Sequence, residues 1–414
     1  MKLFKIEILS IFILSLSISA QPDRSIGLGT LKLTQKAKDY VNQVLDSNRL
    51  SYGPFLKKLE QEFGRIHGAK ACVSSNSGTS SLQVALQTLK ELHGWHDGDE
   101  VIVPSITFVA TSNIVLHNRM VPVFVDIDKD YYEIDPTLIE KKITSRTRAI
   151  IPVHLFGQPC DMDPIIDLAQ KYNLKIIEDS CETMFACYKG KPVGTLGDIG
   201  CFSTYVAHLL TTGVGGLATT NVPEYAITMR SLVNHGRDSI YLNIDDDNGV
   251  GKERLEEIIA KRFSFISVGH SFRMTEMEGA LGVAQLEDFP DMVAKRKFNA
   301  AYLTAGLKEF EESLQLPKIR PGCDHVFMMY PIVLLHEKKV NFVNYLEQKG
   351  IETRDMMPLI TQPIYKKLLN IKEGEYPIAD WINNNGFYIA CHQDLSKEDL
   401  DYMINSIKNY FLSR

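Results

Sequence analysis

The chain has 414 residues, far beyond the size at which burying a core becomes difficult, so two or three compact units are expected. Its 45 basic and 51 acidic residues give a formal charge of −6 with no long like-charge run, which speaks against a nucleic-acid partner. Seven cysteines, at 72, 160, 181, 187, 201, 323 and 391, form no C-x-x-C pair and no His/Cys ligand spacing, so no metal site is expected, and their odd number argues against a disulfide framework. In chain order, residues 1–21 come first: Lys2 and Lys5, an apolar run over 8–18 and a small-residue end have the layout of a secretory signal, too short for a membrane span. Glu7 at the edge of the run, and the cysteine usage, favour a simple N-terminal extension on a cytoplasmic protein. A helical pattern follows over 31–53, with Ala37, Val41, Val44 and Leu45 at helix spacing, then a turn over 51–54 and a second helix through Glu62. Short apolar runs at 71–74, 100–103, 121–126, 149–153, 174–178, 201–205 and 216–219 read as buried strands alternating with helices. Such alternation predicts an α/β fold, a mixed, mostly parallel sheet between two helical layers, over a large unit at 22–287. The polar tract 243–252 reads as a mobile surface loop. From about residue 288 the pattern becomes a long helix over 292–310, a Pro-punctuated stretch and a closing helix over 397–411, a smaller α+β domain at 288–414.

Three segments carry residue types suited to chemistry. Residues 74–81, SSNSGTSS, join a strand to an apolar helix; small residues there let backbone N–H groups approach an anion, with hydroxyls of Ser77 and Thr79 as extra donors around Gly78. The same residues would equally make an ordinary Ser/Thr helix cap. Residues 174–182, LKIIEDSCE, place Asp179 at the carboxyl end of a strand, where open α/β sheets put their ligands. Phe108, in PSITFVATSN at 104–113, is by itself no more than a core candidate.

Residues 197–216, GDIGCFSTYVAHLLTTGVGG, closely resemble the cofactor-lysine segment of the sugar-nucleotide aminotransferases, the DegT-type enzymes of fold type I. That lysine falls five residues after a serine and five before a glycine cluster, and His208 holds both spacings, from Ser203 and to Gly213. A Schiff base needs a primary amine; imidazole has none, although it still moves protons. The resemblance spans roughly residues 23–412. It implies pyridoxal 5′-phosphate or pyridoxamine 5′-phosphate as cofactor, with Ser77, Gly78, Thr79 and Ser203 on its phosphate, Phe108 stacked on the ring and Asp179 on the pyridine nitrogen. Glu182 would lie near the ring hydroxyl, where aminotransferase relatives carry His or Gln and the dehydratase branch carries an acid. Ser271, in GHSFRMTE at 269–276, replaces an asparagine that reaches the neighbouring subunit's cofactor phosphate, so a homodimer is implied. Arg237, in NHGRD, is a candidate for substrate phosphates, with a surface ion pair as its other reading. His154 and Gln158 match a family signature and read as structural hydrogen-bonding residues.

One branch of that family has made the same exchange of lysine for histidine, the 4-keto-6-deoxy-sugar-nucleotide 3-dehydratases. The resemblance therefore implies C3 dehydration of a nucleotide-linked 4-keto sugar with His208 as acid and base, glutamate as amino donor and no iron–sulfur centre. Rival readings are an aminotransferase working without lysine, a binding protein that has lost catalysis, and a displaced tether at Lys189 or Lys191.

Overall fold

The computed structural model describes residues 24–239 and 246–413. The signal-like segment 1–21 lies outside the described residues, as do the first positions of the polar tract. Helix α1 (Gln35–Ser47) begins on Thr34, whose side chain accepts from the Ala37 N–H, and stops at Asn48 in the left-handed region. It is shorter than the apolar spacing alone predicts, because Asn48 turns the chain before Leu50. Helix α2 (Pro54–His67) has no side-chain cap of its own. The buried Glu276 carboxylate serves instead, accepting from the N–H groups of Gly53 at 3.0 Å, Phe55 at 2.5 Å and Leu56 at 3.2 Å. Glu276→Ala is expected to cost about 3 kcal/mol of stability, since hydrogen bonds to a buried charge are lost together; urea unfolding would measure it.

The main sheet is built from β1 (Ala71–Ser75), β2 (Glu100–Pro104), β3 (Val121–Val125), β4 (Thr147–Ile150), β5 (Lys175–Asp179), β8 (Ile199–Ser203) and β9 (Gly216–Thr220), with a small hairpin of β6 (Cys187–Tyr188) and β7 (Lys191–Pro192) intervening in the chain. Its order is β1-β9-β8-β5-β4-β2-β3. Only β9 runs antiparallel to its neighbours; the remaining pairs are parallel. Strand alternation sends Val101, Val103, Ala149 and Ile177 into one core and Ile102, Ile150 and Ile176 into another, so helices must cover both faces. The fold is thus the α/β sandwich expected from the run of buried strands.

A separate core packs the helices Phe289–Leu307, Lys339–Gln348 and Lys397–Leu412 on an antiparallel sheet ordered β10 (Leu314–Gln315), β11 (Tyr330–Leu334), β13 (Gly386–Ile389) and β12 (Arg354–Asp355). Ile26 is buried in that core and bridges Ile351, while Arg24 pairs with Asp399 at 2.6 Å. Among the described residues no helix is long and apolar enough to cross a membrane.

Candidate active site

The carboxyl ends of the parallel strands deliver the chemistry-bearing segments to one edge of the sheet. After β1, Ser77 caps helix α3 (Gly78–Leu92), its hydroxyl accepting from the Ser80 N–H at 3.0 Å, and Thr79 is exposed in the first turn. The cap reading and the anion-site reading coincide here, because the capped end is also the open end. Gly78 is held tightly: a Cβ there would lie 2.6 Å from Ser203 Cβ and 2.9 Å from Cys181 Sγ. Two loops, after β1 and β5, and the end of β8 therefore meet at one glycine.

Along β5, neighbouring side chains face opposite ways. Glu178 turns into the core, where it accepts from the N–H groups of Gly194, Leu196 and Gly197 and from His154 Nε2 at 3.0 Å. Asp179 turns the other way, toward Thr111 on helix α4 (Val109–His117) and its own loop. It is buried, accepts from Thr111 Oγ1 at 2.8 Å and from the Cys181 N–H at 3.2 Å, and has no ion-pair partner among the described residues. Burial pushes its carboxyl above the usual range, against the pull of the Thr111 hydroxyl and Cys181. A buried carboxylate without a cation costs several kcal/mol unless a ligand brings one. A protonated pyridine nitrogen is such a cation, so the residues present fit the cofactor that the resemblance implies.

His208 lies in the turn after β8, below the bridge between Tyr205 and Gly213. Its Nδ1 is 2.5 Å from the Cys181 carbonyl. A carbonyl only accepts, so Nδ1 carries the proton and Nε2 keeps its lone pair. Nε2 has no hydrogen-bond partner among the described residues. The ring remains partly exposed, yet burial pushes its pKa down to about 4, helped by the Arg296 charge and opposed by the Cys181 carbonyl. Near neutral pH the imidazole is thus a neutral base with one fixed tautomer.

Glu182 accepts from the Phe156 N–H at 3.0 Å, and burial, with Asp179 nearby, raises its carboxyl to about 7. Phe108 is the N-cap residue of helix α4 (Val109–His117) and is 58% exposed, so it is not the core residue that its lone position suggests. Ser271 accepts from Arg273 Nη2 at 3.0 Å, on a segment that meets the β1 loop through the Asn76 N–H and the Phe272 carbonyl. Arg237 stands apart from this cluster: it donates to the Arg262 carbonyl and lies over the rings of Phe263 and Phe265. Lys189, in the β6–β7 turn, is paired with Asp163 rather than aimed at the cleft. His154 and Gln158 are structural, the first on Glu178 and the second accepting from the Arg320 N–H at 2.7 Å.

The buried titratable groups predict how stability follows pH. His67 and His208 are pushed to about 4 and His325 to about 3, chiefly by burial. Below about pH 6.5 the unfolded chain binds protons that these rings refuse, so their contribution is whole above that pH and is lost as pH falls toward 4. Burial raises Glu133 to about 8 and Glu182 to about 7, so the folded chain holds protons there that the unfolded one releases above about pH 4.5; that contribution is lost as pH rises through 7 and 8. Urea midpoints are therefore expected to peak at about pH 6–7.

Comparison with known proteins bears on what this site belongs to. Residues 32–408 match the DegT/DnrJ/EryC1/StrS aminotransferase family. The chain belongs to that family. Among its relatives, the GDP-perosamine synthase of Caulobacter vibrioides is 33% identical over 387 residues, covering 92% of this chain and 97% of its own. The dTDP-4-dehydro-2,6-dideoxy-D-glucose 3-dehydratase of Saccharopolyspora spinosa is 29% identical over 383 residues, 87% of this chain and 81% of its own. In structure, the GDP-4-keto-6-deoxy-D-mannose-3-dehydratase of Escherichia coli, solved with bound hydrated pyridoxal phosphate, superposes with a TM-score of 0.84 at 24% identity, over 93% of this chain and 100% of its own. At that identity the likeness speaks to the fold, which it places among fold type I enzymes. The DegT-type resemblance of the 197–216 segment is thereby borne out, and members of this family bind pyridoxal or pyridoxamine phosphate.

Sequence reasoning missed Thr111, the Cys181 carbonyl and the structural role of Glu178. A threonine on a buried helix and a backbone oxygen leave no mark in composition or spacing, whereas the glutamate was hidden beside Asp179.

Proposed function

We propose that this chain is a pyridoxamine-phosphate-dependent 3-dehydratase acting on a nucleotide-linked 4-keto-6-deoxy sugar in the cytoplasm, as a homodimer. The observation that carries the reading is His208: at the position of the family's lysine stands an imidazole whose Nδ1–H is locked on the Cys181 carbonyl and whose Nε2 is open. Pyridoxamine phosphate, when bound, supplies an amine for the C4 ketone and a ring that stores an electron pair. Ser77, Gly78, Thr79 and Ser203, with Ser271 of a second copy, would hold its phosphate at the α3 N-terminus. Phe108 would cover the ring face and Glu182 would sit at the ring hydroxyl. Asp179 keeps the ring nitrogen positive, so that removing a proton near the ring costs less. His208 Nε2 takes that proton and returns it to the departing C3 oxygen, which leaves as water. Arg237 is the candidate for the nucleotide phosphates.

The net change is balanced by the donor: glutamate is oxidised to 2-oxoglutarate and ammonia while the C3 hydroxyl is replaced by hydrogen. With no lysine amine to displace a product from the cofactor, release by water is favoured over transfer to the sugar. The competing reading is amine transfer without lysine, supported by the greater identity to the perosamine synthase than to the 3-dehydratase. Incubation with pyridoxal phosphate, glutamate and a 4-keto-6-deoxy-sugar nucleotide separates them. Ammonia with a 3-deoxygenated sugar supports dehydration, a stable amino sugar supports transfer, and binding without turnover supports a silent protein.

A further inference from the structure

The first turn of α4 carries more than the exposed ring of Phe108. Thr107 and Thr111, one residue before that cap and three after it, are buried, with their hydroxyl oxygens 2.9 Å apart. Thr111 Oγ1 in turn lies 2.8 Å from Asp179 Oδ2. Each hydroxyl has one hydrogen to give. An ionised carboxylate only accepts, so Thr111 spends its hydrogen on Asp179 and Thr107 spends its own on Thr111. Thr107 is itself anchored, its N–H donating to the Met357 carbonyl at 3.2 Å. The chain of donors thus runs from the Thr107 hydroxyl, whose residue is pinned to the C-terminal half, through the Thr111 hydroxyl to the carboxylate at the end of β5.

We propose that Thr111 is a positioning residue: its hydroxyl, aimed by Thr107, holds Asp179 as a charged acceptor and so sets how firmly the ring nitrogen of the bound cofactor keeps its proton. The proposal rests on the reading that Asp179 faces that nitrogen. The other titratable groups around Asp179 are His154 from the segment after β4, Cys181 and Glu182 from its own loop, and Cys201 on β8. His154 is held by Glu178 and by the Cys160 N–H, and the thiols of Cys181 and Cys201 are pushed far from ionising by burial. Thr111 is therefore a donor to Asp179 that can be removed without adding or deleting a charge. A hydrogen bond to a charged group moves that group's proton affinity by about one to two pH units. Its loss should be read as a shift of about one pH unit or more.

The test is a pH titration of protein loaded with ¹⁵N-labelled pyridoxamine phosphate, following the ring nitrogen by NMR. In Thr111→Val the carboxylate loses a donor that drains its charge and becomes a stronger counter-ion, so the midpoint for losing the ring proton is expected to rise by about one unit, with Thr111→Ser close to wild type and Thr107→Val shifted less in the same direction. A Thr111→Val protein that titrates like wild type overturns the proposal. Should Thr111→Val fail to fold or load, Thr107→Val decides, an upward shift supporting the relay and an unchanged midpoint overturning it. No sugar is needed, so the outcome does not depend on which reaction follows. A wild type whose ring nitrogen is unprotonated throughout overturns the Asp179 reading itself; an unchanged variant beside a protonated wild type overturns only the relay.

Discussion

Replacing His208 by Asn is expected to slow C3 deoxygenation by about 10²–10⁴-fold, the contribution of a single positioned acid–base group. Asparagine keeps much of the ring's volume and can still donate to the Cys181 carbonyl, so the turn after β8 should keep its shape. What it lacks is a lone pair of useful basicity in place of Nε2. Cofactor binding should be nearly unchanged, because the residues proposed to hold the phosphate, Ser77, Gly78 and Ser203, are untouched. Single-turnover absorbance after mixing loaded protein with sugar nucleotide separates the two effects: the ring spectrum should persist while product formation collapses. In wild type the same assay should keep its rate well below pH 6, since the base stays neutral down to about 4. A rate that falls with a midpoint near 6.5 would indicate an imidazole in ordinary solvent.

The next largest effect is expected at Asp179. Asp179→Asn keeps the side chain's size and one oxygen, which accepts from either Thr111 or the Cys181 N–H, but it removes the charge. The ring nitrogen then loses its counter-ion, and its proton with it. The rate should drop by about 10²–10³-fold, the size seen when one preorganised electrostatic group is removed. Cofactor affinity should fall as well, and unliganded protein should gain stability, because a buried carboxylate without a cation is replaced by a neutral amide. Thermal unfolding of the cofactor-free proteins measures the last point, and the opposite signs of the two effects distinguish a charge built for a ligand from one that merely supports the fold.

Where sequence reading succeeded, local physics was enough. The buried strands were legible because β2 after Glu100, β8 and β9 are apolar or small and buried along their length. Asp179 was legible from its place at a strand end, and Gly78 from the run of small residues, although only the close approach of Ser203 and Cys181 explains why a side chain is excluded there. Where it fell short, the deciding contacts join distant segments. Glu178 and Asp179 look alike in sequence, yet one ties down the 194–197 turn and the other turns to Thr111 on α4. Glu276 reaches 220 residues back to cap α2, which no capping pattern reveals. The α1 helix ended early at Asn48, whose tolerance of the left-handed region outweighed the apolar spacing beyond it. Position 208 was readable because the residues on either side hold family spacing, but the tautomer was not, since it depends on a backbone oxygen 27 residues away.

All of this depends on a coenzyme that is held without a covalent bond and served by one imidazole. The direct measurement is intact-protein and peptide mass spectrometry after loading with pyridoxal phosphate and reducing with borohydride. The expected result is protein of unmodified mass, with His208→Lys alone acquiring a reduced pyridoxyl adduct at position 208. A pyridoxyl adduct on any lysine of the wild-type chain would contradict it.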